Sequence, residues 1–220
     1  MKKIILLLAF CLSVGNLFAQ DANADKLREE GDAAMTAKNY PEVVAKYSEY
    51  LKLTNYEDES RVFNCAFAAY NAKKYDDAIK FYDMAIQKGY KTDDAYVGKA
   101  MSLRSQDKAA DFTATVEAGL KANAQNANLE KLLYAYCMKK GQAAQKAGKT
   151  EEAEELFKDV LVVGNAKYKG NALYSLGVMF YNAGAKILAD ANPIATSDPD
   201  KYAAEKKKAD AQMAKAKGYL

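Results

Sequence analysis

Apolar residues recur every three or four positions along most of the chain, with charged and amide residues between them. That spacing gathers the apolar side chains on one face of a helix. Val43-Val44-Ala45-Lys46-Tyr47 and Ala78-Ile79-Lys80-Phe81-Tyr82 are two clear instances. No segment alternates convincingly between apolar and polar residues, as a half-buried strand would. The pattern therefore predicts helices throughout, in pairs. One pair covers Thr92 to Ser105 and Asp107 to Asn123. A long helix covers Tyr168 to about Asp190, and another follows from Tyr202. Asn39 is placed to cap the helix that Pro41 enters in its first turn. Asp76, Asp77, Glu151 and Glu152 open helices, where the helix dipole favours an acid. The stretch Asn192-Pro193-Ile194-Ala195-Thr196-Ser197-Asp198-Pro199-Asp200 is the clearest loop signal.

The helical pattern also repeats. Asn39-Tyr40-Pro41-Glu42-Val43, Lys74-Tyr75-Asp76-Asp77-Ala78 and Lys149-Thr150-Glu151-Glu152-Ala153 each run from a polar start through an acidic first turn to a small or β-branched residue. An aromatic follows four positions later, at Tyr47, Tyr82 and Phe157. Val43 and Ala78 are 35 residues apart, as are Tyr47 and Tyr82. A small residue marks each preceding helix, at Gly31, Ala66 and Gly141, and Gly177 opens the pattern again. These residues resemble the tetratricopeptide repeat, a helix–turn–helix unit of about 34 residues. Gly31, Ala66, Gly141 and Gly177 match its eighth position; Ala78 and Ala153 match its twentieth, with Val43 departing; Tyr47, Tyr82 and Phe157 match its twenty-fourth. The resemblance is good over 24–90 and 130–184 and weak over 92–125, where Ala114 or Thr115 occupies the aromatic slot. It implies an all-α, right-handed α-solenoid of antiparallel helix pairs over residues 20–220. About five repeats are expected, the third degenerate and the fifth with an extended first helix and a Pro-containing loop. The last helix carries no polar cap of the kind that usually closes such arrays.

The first nineteen residues, MKKIILLLAFCLSVGNLFA, differ from the rest. Lys2 and Lys3 precede an apolar run from Ile4 to Val14, and a small residue stands at Ala19. This is the order of a secretory signal peptide, similar to those of Bacteroidetes-type bacteria, and the run is too short to span a bilayer. Cleavage is expected between Ala19 and Gln20, with a periplasmic or secreted product. Lipidation at Cys11 is not favoured, because Phe10 precedes it where a small residue is needed. No later run is long and apolar enough to serve as a transmembrane anchor.

Composition narrows the chemistry. The 220 residues are 50% hydrophobic and 28% charged, with 12 Gly, 3 Pro and no His. Without His there is no imidazole triad, imidazole base or His zinc site. Lys plus Arg is 32 and Asp plus Glu 29; loss of Lys2 and Lys3 would leave 30 against 29. So near-neutral a chain has no general attraction for nucleic acid or anionic membrane. Cys65 and Cys137 read as buried thiols, with a single bridge the alternative in an oxidising compartment. Gly148-Lys149-Thr150 lacks the upstream Gly and the strand of a phosphate loop, so a turn is the better reading. The Glu151 to Glu155 acids read as a solvated helix face, and Lys206-Lys207-Lys208 likewise. No metal, cofactor or catalytic set is expected, and the chain is read as no enzyme.

What remains is protein binding. In the family the first helix of each repeat lines a concave surface. The resemblance places Arg28, Asp32 and Met35 there from the first repeat, Phe63, Phe67, Tyr70 and Asn71 from the second, and Tyr174, Tyr181 and Asn182 from the fifth. Such rings with neighbouring Asn suit an apolar peptide or helix; packing between repeats is the rival use of the same rings. A family use that grips a terminal carboxylate is not supported, since its places hold Arg28, Asp32, Asn64, Asp93 and Val97. The expected function is a protein-interaction scaffold in the bacterial cell envelope. The alternative is a structural subunit of an outer-membrane or envelope assembly that docks through its last helix. A catalyst or small-ligand receptor using the aromatic face is the outlying third reading.

Overall fold

A computed structural model of the protein describes residues 21–220; the expectations of export, cleavage and Cys11 chemistry fall on residues outside the described ones. The described residues form ten α-helices and no strand: α1 (21–36), α2 (Tyr40–Leu53), α3 (Glu59–Asn71), α4 (Tyr75–Gln87), α5 (Thr92–Ser105), α6 (Ala109–Ala122), α7 (Ala127–Lys146), α8 (Thr150–Asp159), α9 (Ala166–Ala191) and α10 (Pro199–Tyr219). Short 3₁₀ turns follow α8 and α9.

The helices alternate in five pairs, and the first four pairs share one turn. After α1, α3, α5 and α7 a left-handed residue ends the helix: Lys38, Lys73, Asp107 and Gly148, with φ of 56°, 60°, 56° and 75°. The next backbone N–H donates back to a buried carbonyl. Asn39 bonds Ala34 at 2.9 Å, Lys74 bonds Ala69 at 2.8 Å, Lys108 bonds Leu103 at 3.1 Å and Lys149 bonds Ala144 at 2.9 Å. This six-to-one bond satisfies a carbonyl that the helix end would otherwise orphan. Only Gly148 is the residue that conformation favours. The third pair, weakest in sequence, makes the turn as well as the others, and Asp107 is the turn residue rather than the start of a helix.

Helix starts follow the polar residues that precede them. The side chains of Asp58, Asn126, Asn165 and Asp198 accept from the N–H three residues on. Asn39 is the residue before α2, but its side chain does not cap. Its Nδ2 donates to Glu42 Oε2 at 2.7 Å instead. α9 and α10 each begin two or three residues ahead of the sequence reading, at Ala166 and Pro199, because Asn165 and Asp198 supply the caps.

The chain divides into two compact units, one ending at Val116 and the other running from Glu117 to Leu220. In the first, Val43, Tyr47, Leu51, Val62, Cys65 and Phe81 are buried with a floor of alanines. In the second, Leu129, Leu133, Phe157, Val160, Leu176 and Phe180 are buried. In both, glycine lets a larger side chain approach the backbone. A methyl group at Gly31 would collide with the Tyr47 ring, and one at Gly141 with Phe157. At Gly184 it would lie 2.9 Å from the Ala209 carbonyl oxygen, so α9 and α10 cross there. The expected filler of the third aromatic slot needs correction. Ala114 is exposed, Thr115 is buried, and the buried ring of α6 is Phe112. Gly98 takes its ring from the preceding pair, where Tyr82 lies against it.

Cys65 and Cys137 are buried, unbridged thiols. Burial pushes each up to about 12, which leaves almost no thiolate at neutral pH.

Candidate functional site

In the first unit α3 carries Phe63, Phe67, Tyr70 and Asn71 at a spacing of four, three and one, so all four share one helix face. α5 answers with Asp94, Val97, Gly98 and Met101 on a matching face. Between them Tyr82 of α4 closes the floor, and together these residues line a groove of about 350 Å³. Gly98 is what admits Tyr82, since any side chain there would occupy the space of its ring.

The rings are fixed by one another. Phe63 meets Tyr82 edge-on at 5.8 Å and Tyr90 at 6.2 Å, while Phe67 meets Tyr40 edge-on at 6.0 Å. Tyr70 lies 5.9 Å from Tyr75. Such pairs hold the rings without hiding them: Phe67 remains 42% exposed. Lys91 Nζ sits 5.0 Å from the Phe63 ring centre. Asn71 donates its amide nitrogen to the Phe67 carbonyl at 2.8 Å. Tyr82 is only 3% exposed. Burial pushes its phenol up, and the nearby Tyr70 and Asp94 add to that. Asp94 is exposed and is the one charged residue of the lining.

The residues assigned to the first repeat are differently engaged. Asp32 accepts from Tyr47 Oη at 2.5 Å and from Arg61 Nη2 at 2.6 Å and Nε at 3.2 Å. Partial burial raises the Asp32 pKa, but the bonds from Arg61 and Tyr47 outweigh it and hold the carboxyl below its usual range. This carboxylate thus ties α1 to α2 and α3. Arg28 pairs with Asp25 at 3.0 Å along its own helix. Met35 packs, half-buried, against the core. In the second unit Tyr174 and Tyr181 stand 64% and 55% exposed on α9, and Asn182 beside them is exposed too. One turn earlier, Asn171 donates to Tyr134 Oη at 2.8 Å, and Tyr134 stacks on Tyr168 at 4.2 Å.

The α5 wall of the groove went unread in the sequence. Asp94, Gly98 and Met101 lie where the repeat pattern is weakest, and Val97 was weighed only as an unsuitable carboxylate grip. Gly98 was the available signal, being the small residue of that helix. Glu130 was also unread. It is buried in the second unit and accepts the N–H groups of Gly164 and Asn165, anchoring the approach to α9.

Among the described residues no group of three or more Cys, Asp or Glu is placed to hold a metal ion. None of their helices is long and apolar enough to cross a membrane. The basic run of α10 is paired along its helix, Lys206 with Asp210 and Lys208 with Glu205, each at 2.7 Å.

The chain is similar to known proteins, of which two follow. The chain is 46% identical to a TPR repeats protein of Bacteroides fragilis, whose crystal structure it matches with a TM-score of 0.83 over 89% of this chain and 88% of that one. It is 30% identical to Hsp70-Hsp90 organizing protein 1 of Glycine max over 66% of this chain, and it spans only 26% of that protein's length. No family model matches the chain.

Proposed function

Because the chain belongs to the tetratricopeptide-repeat family, whose members generally mediate protein–protein interactions, we propose that it is an interaction scaffold of the bacterial cell envelope. On this reading its first unit holds a peptide or helix of a partner protein in the groove between α3 and α5. The observation that carries it is the aromatic lining of that groove. Phe67 is a large apolar side chain left open to solvent beside Phe63 and Tyr70, and exposed rings walled by apolar neighbours are the usual anchors of a binding hot spot. Catalysis has less support, since the fold is typically a non-catalytic scaffold.

The experiment is crosslinking and pull-down from envelope extracts with the mature protein and its Phe67→Ala/Tyr70→Ala variant. The wild type is expected to retain a partner that the variant loses. Far-UV circular dichroism should stay unchanged, because Phe67 is exposed and Tyr70 only half-buried. Equal recovery by both proteins would remove the groove from the interaction.

A further inference from the structure

Resting on that reading of the groove, the geometry points to a more definite occupant: we propose that the groove selects a partner segment in which an arginine side chain is flanked by apolar residues. Two features of the lining carry this. The first is charge. Asp94 forms no ion pair with any described residue; it is the one charged residue of the lining, and Lys91 beside it is turned onto the Phe63 ring. The second is a set of oxygens able to accept hydrogen bonds. Tyr82 is almost wholly buried, yet its hydroxyl reaches the groove and bonds to no described residue. The Tyr70 hydroxyl, close enough to Tyr82 to affect its ionisation, makes no hydrogen bond to a described residue either. Asn71 spends its amide nitrogen on the Phe67 carbonyl, and its oxygen accepts from no described residue.

The groove therefore offers a carboxylate, an amide oxygen and two phenol hydroxyls that can accept as well as donate, between walls built from Phe63, Phe67, Val97 and Met101. These oxygens face the open groove, so an occupant that covers them displaces their water, and one that supplies several donors at once loses least. Guanidinium is that group. It is flat, carries five N–H donors, gives up its hydration more readily than an ammonium and stacks on aromatic faces. Asp94 lies in the first turn of α5, the end of a helix that an acidic side chain suits. An acidic segment, or one ending in a carboxylate, meets repulsion at the same place.

The test is selection of a phage-displayed random dodecapeptide library on the mature protein and on its Asp94→Asn, Tyr82→Phe and Phe67→Ala/Tyr70→Ala variants. Each variant is first checked for helicity and cooperative unfolding. Wild-type selection is expected to enrich arginine beside Leu, Ile or Phe. The best such peptide, made synthetically with a fluorophore, should bind Asp94→Asn at least tenfold more weakly. Its citrulline analogue, isosteric but uncharged, should bind both proteins alike. Tyr82→Phe should lose a few-fold. Enriched peptides without arginine, or an affinity that Asp94→Asn leaves unchanged, would overturn the inference. If such peptides still fail to bind Phe67→Ala/Tyr70→Ala, the groove reading stands and only the arginine preference falls. If they bind that variant as well as wild type, or if nothing is enriched, both readings fall.

Discussion

At the scale of single residues the first unit shows a carboxylate diverted from recognition to structure. Asp32 lies on a helix face that the repeat pattern assigns to partners, yet it is bound by Tyr47 and by both sides of the Arg61 fork. Its carboxyl is held below the usual range in the folded protein. A group so depressed stabilises the fold above its unfolded pKa, and that stabilisation is lost as pH falls through the folded value. Replacing Asp32 with Asn is thus expected to cost about 1 kcal/mol at pH 7, a figure kept small because the side chain is 41% exposed. Urea unfolding at pH 7 and at pH 3 should show the two proteins converging in acid. A constant difference would assign the effect to packing instead. The periodicity of α1 marks Asp32 as polar and off the core; that Arg61, 29 residues away, claims it follows only from how α3 packs.

At the scale of elements the repeating turn is the most regular feature. Lys38, Lys73, Asp107 and Gly148 end their helices in the same left-handed conformation. No single residue type marks all four positions, so the turn is imposed by the packing of the helices on either side and tolerated, except at Gly148, by residues that do not favour it. The second unit has an element-level strain of another kind. Asp159 ends α8, half-buried, with Glu155 of the same helix and Glu117 of α6 nearby. Burial first, then those two acids, pushes its carboxyl up to about 6. Here the sign is reversed. The folded chain holds the proton more tightly than the unfolded chain, so stability falls as pH rises from about 4 to about 6. Asp159→Asn should accordingly be the more stable protein at pH 7.5 by about 1 kcal/mol, after allowance for solvent screening, and no more stable at pH 4. Melting temperatures across that range would decide it, and a wild type whose stability is flat between those pH values would refute it.

At the scale of the whole molecule, function turns on where the chain resides. The basic start, apolar run and Ala19 of the first segment support export, and the envelope setting of the proposed scaffold depends on it. Fractionation of cells expressing the full chain, followed by N-terminal sequencing, should find the mature protein outside the cytoplasm with Gln20 at its start. A cytoplasmic product that keeps Met1 or Lys2 would place the scaffold elsewhere, while leaving the groove chemistry as it is. Deletion of residues 201–220 separates the rival assembly reading. A subunit held by its last helix would be released from the envelope, whereas a scaffold bound through Phe67 and Tyr70 would keep its partner.

The helical pairs, their order and the meeting of small residues with rings could be read in the sequence. Helix periodicity is local, so Gly31 and Tyr47, or Gly141 and Phe157, announce themselves within one hairpin. The extended α9 and the proline loop after it were legible for the same reason. What the tertiary structure alone decided is the site. Tyr82 passes over Gly98 of the next pair, Asp94 of α5 lines one groove with α3, and Arg61 engages the Asp32 carboxylate. Each is a pairing between hairpins, set by how two helix faces fit. A local pattern of apolar and polar positions specifies which face is buried, but not which side chain of a neighbouring hairpin will meet it.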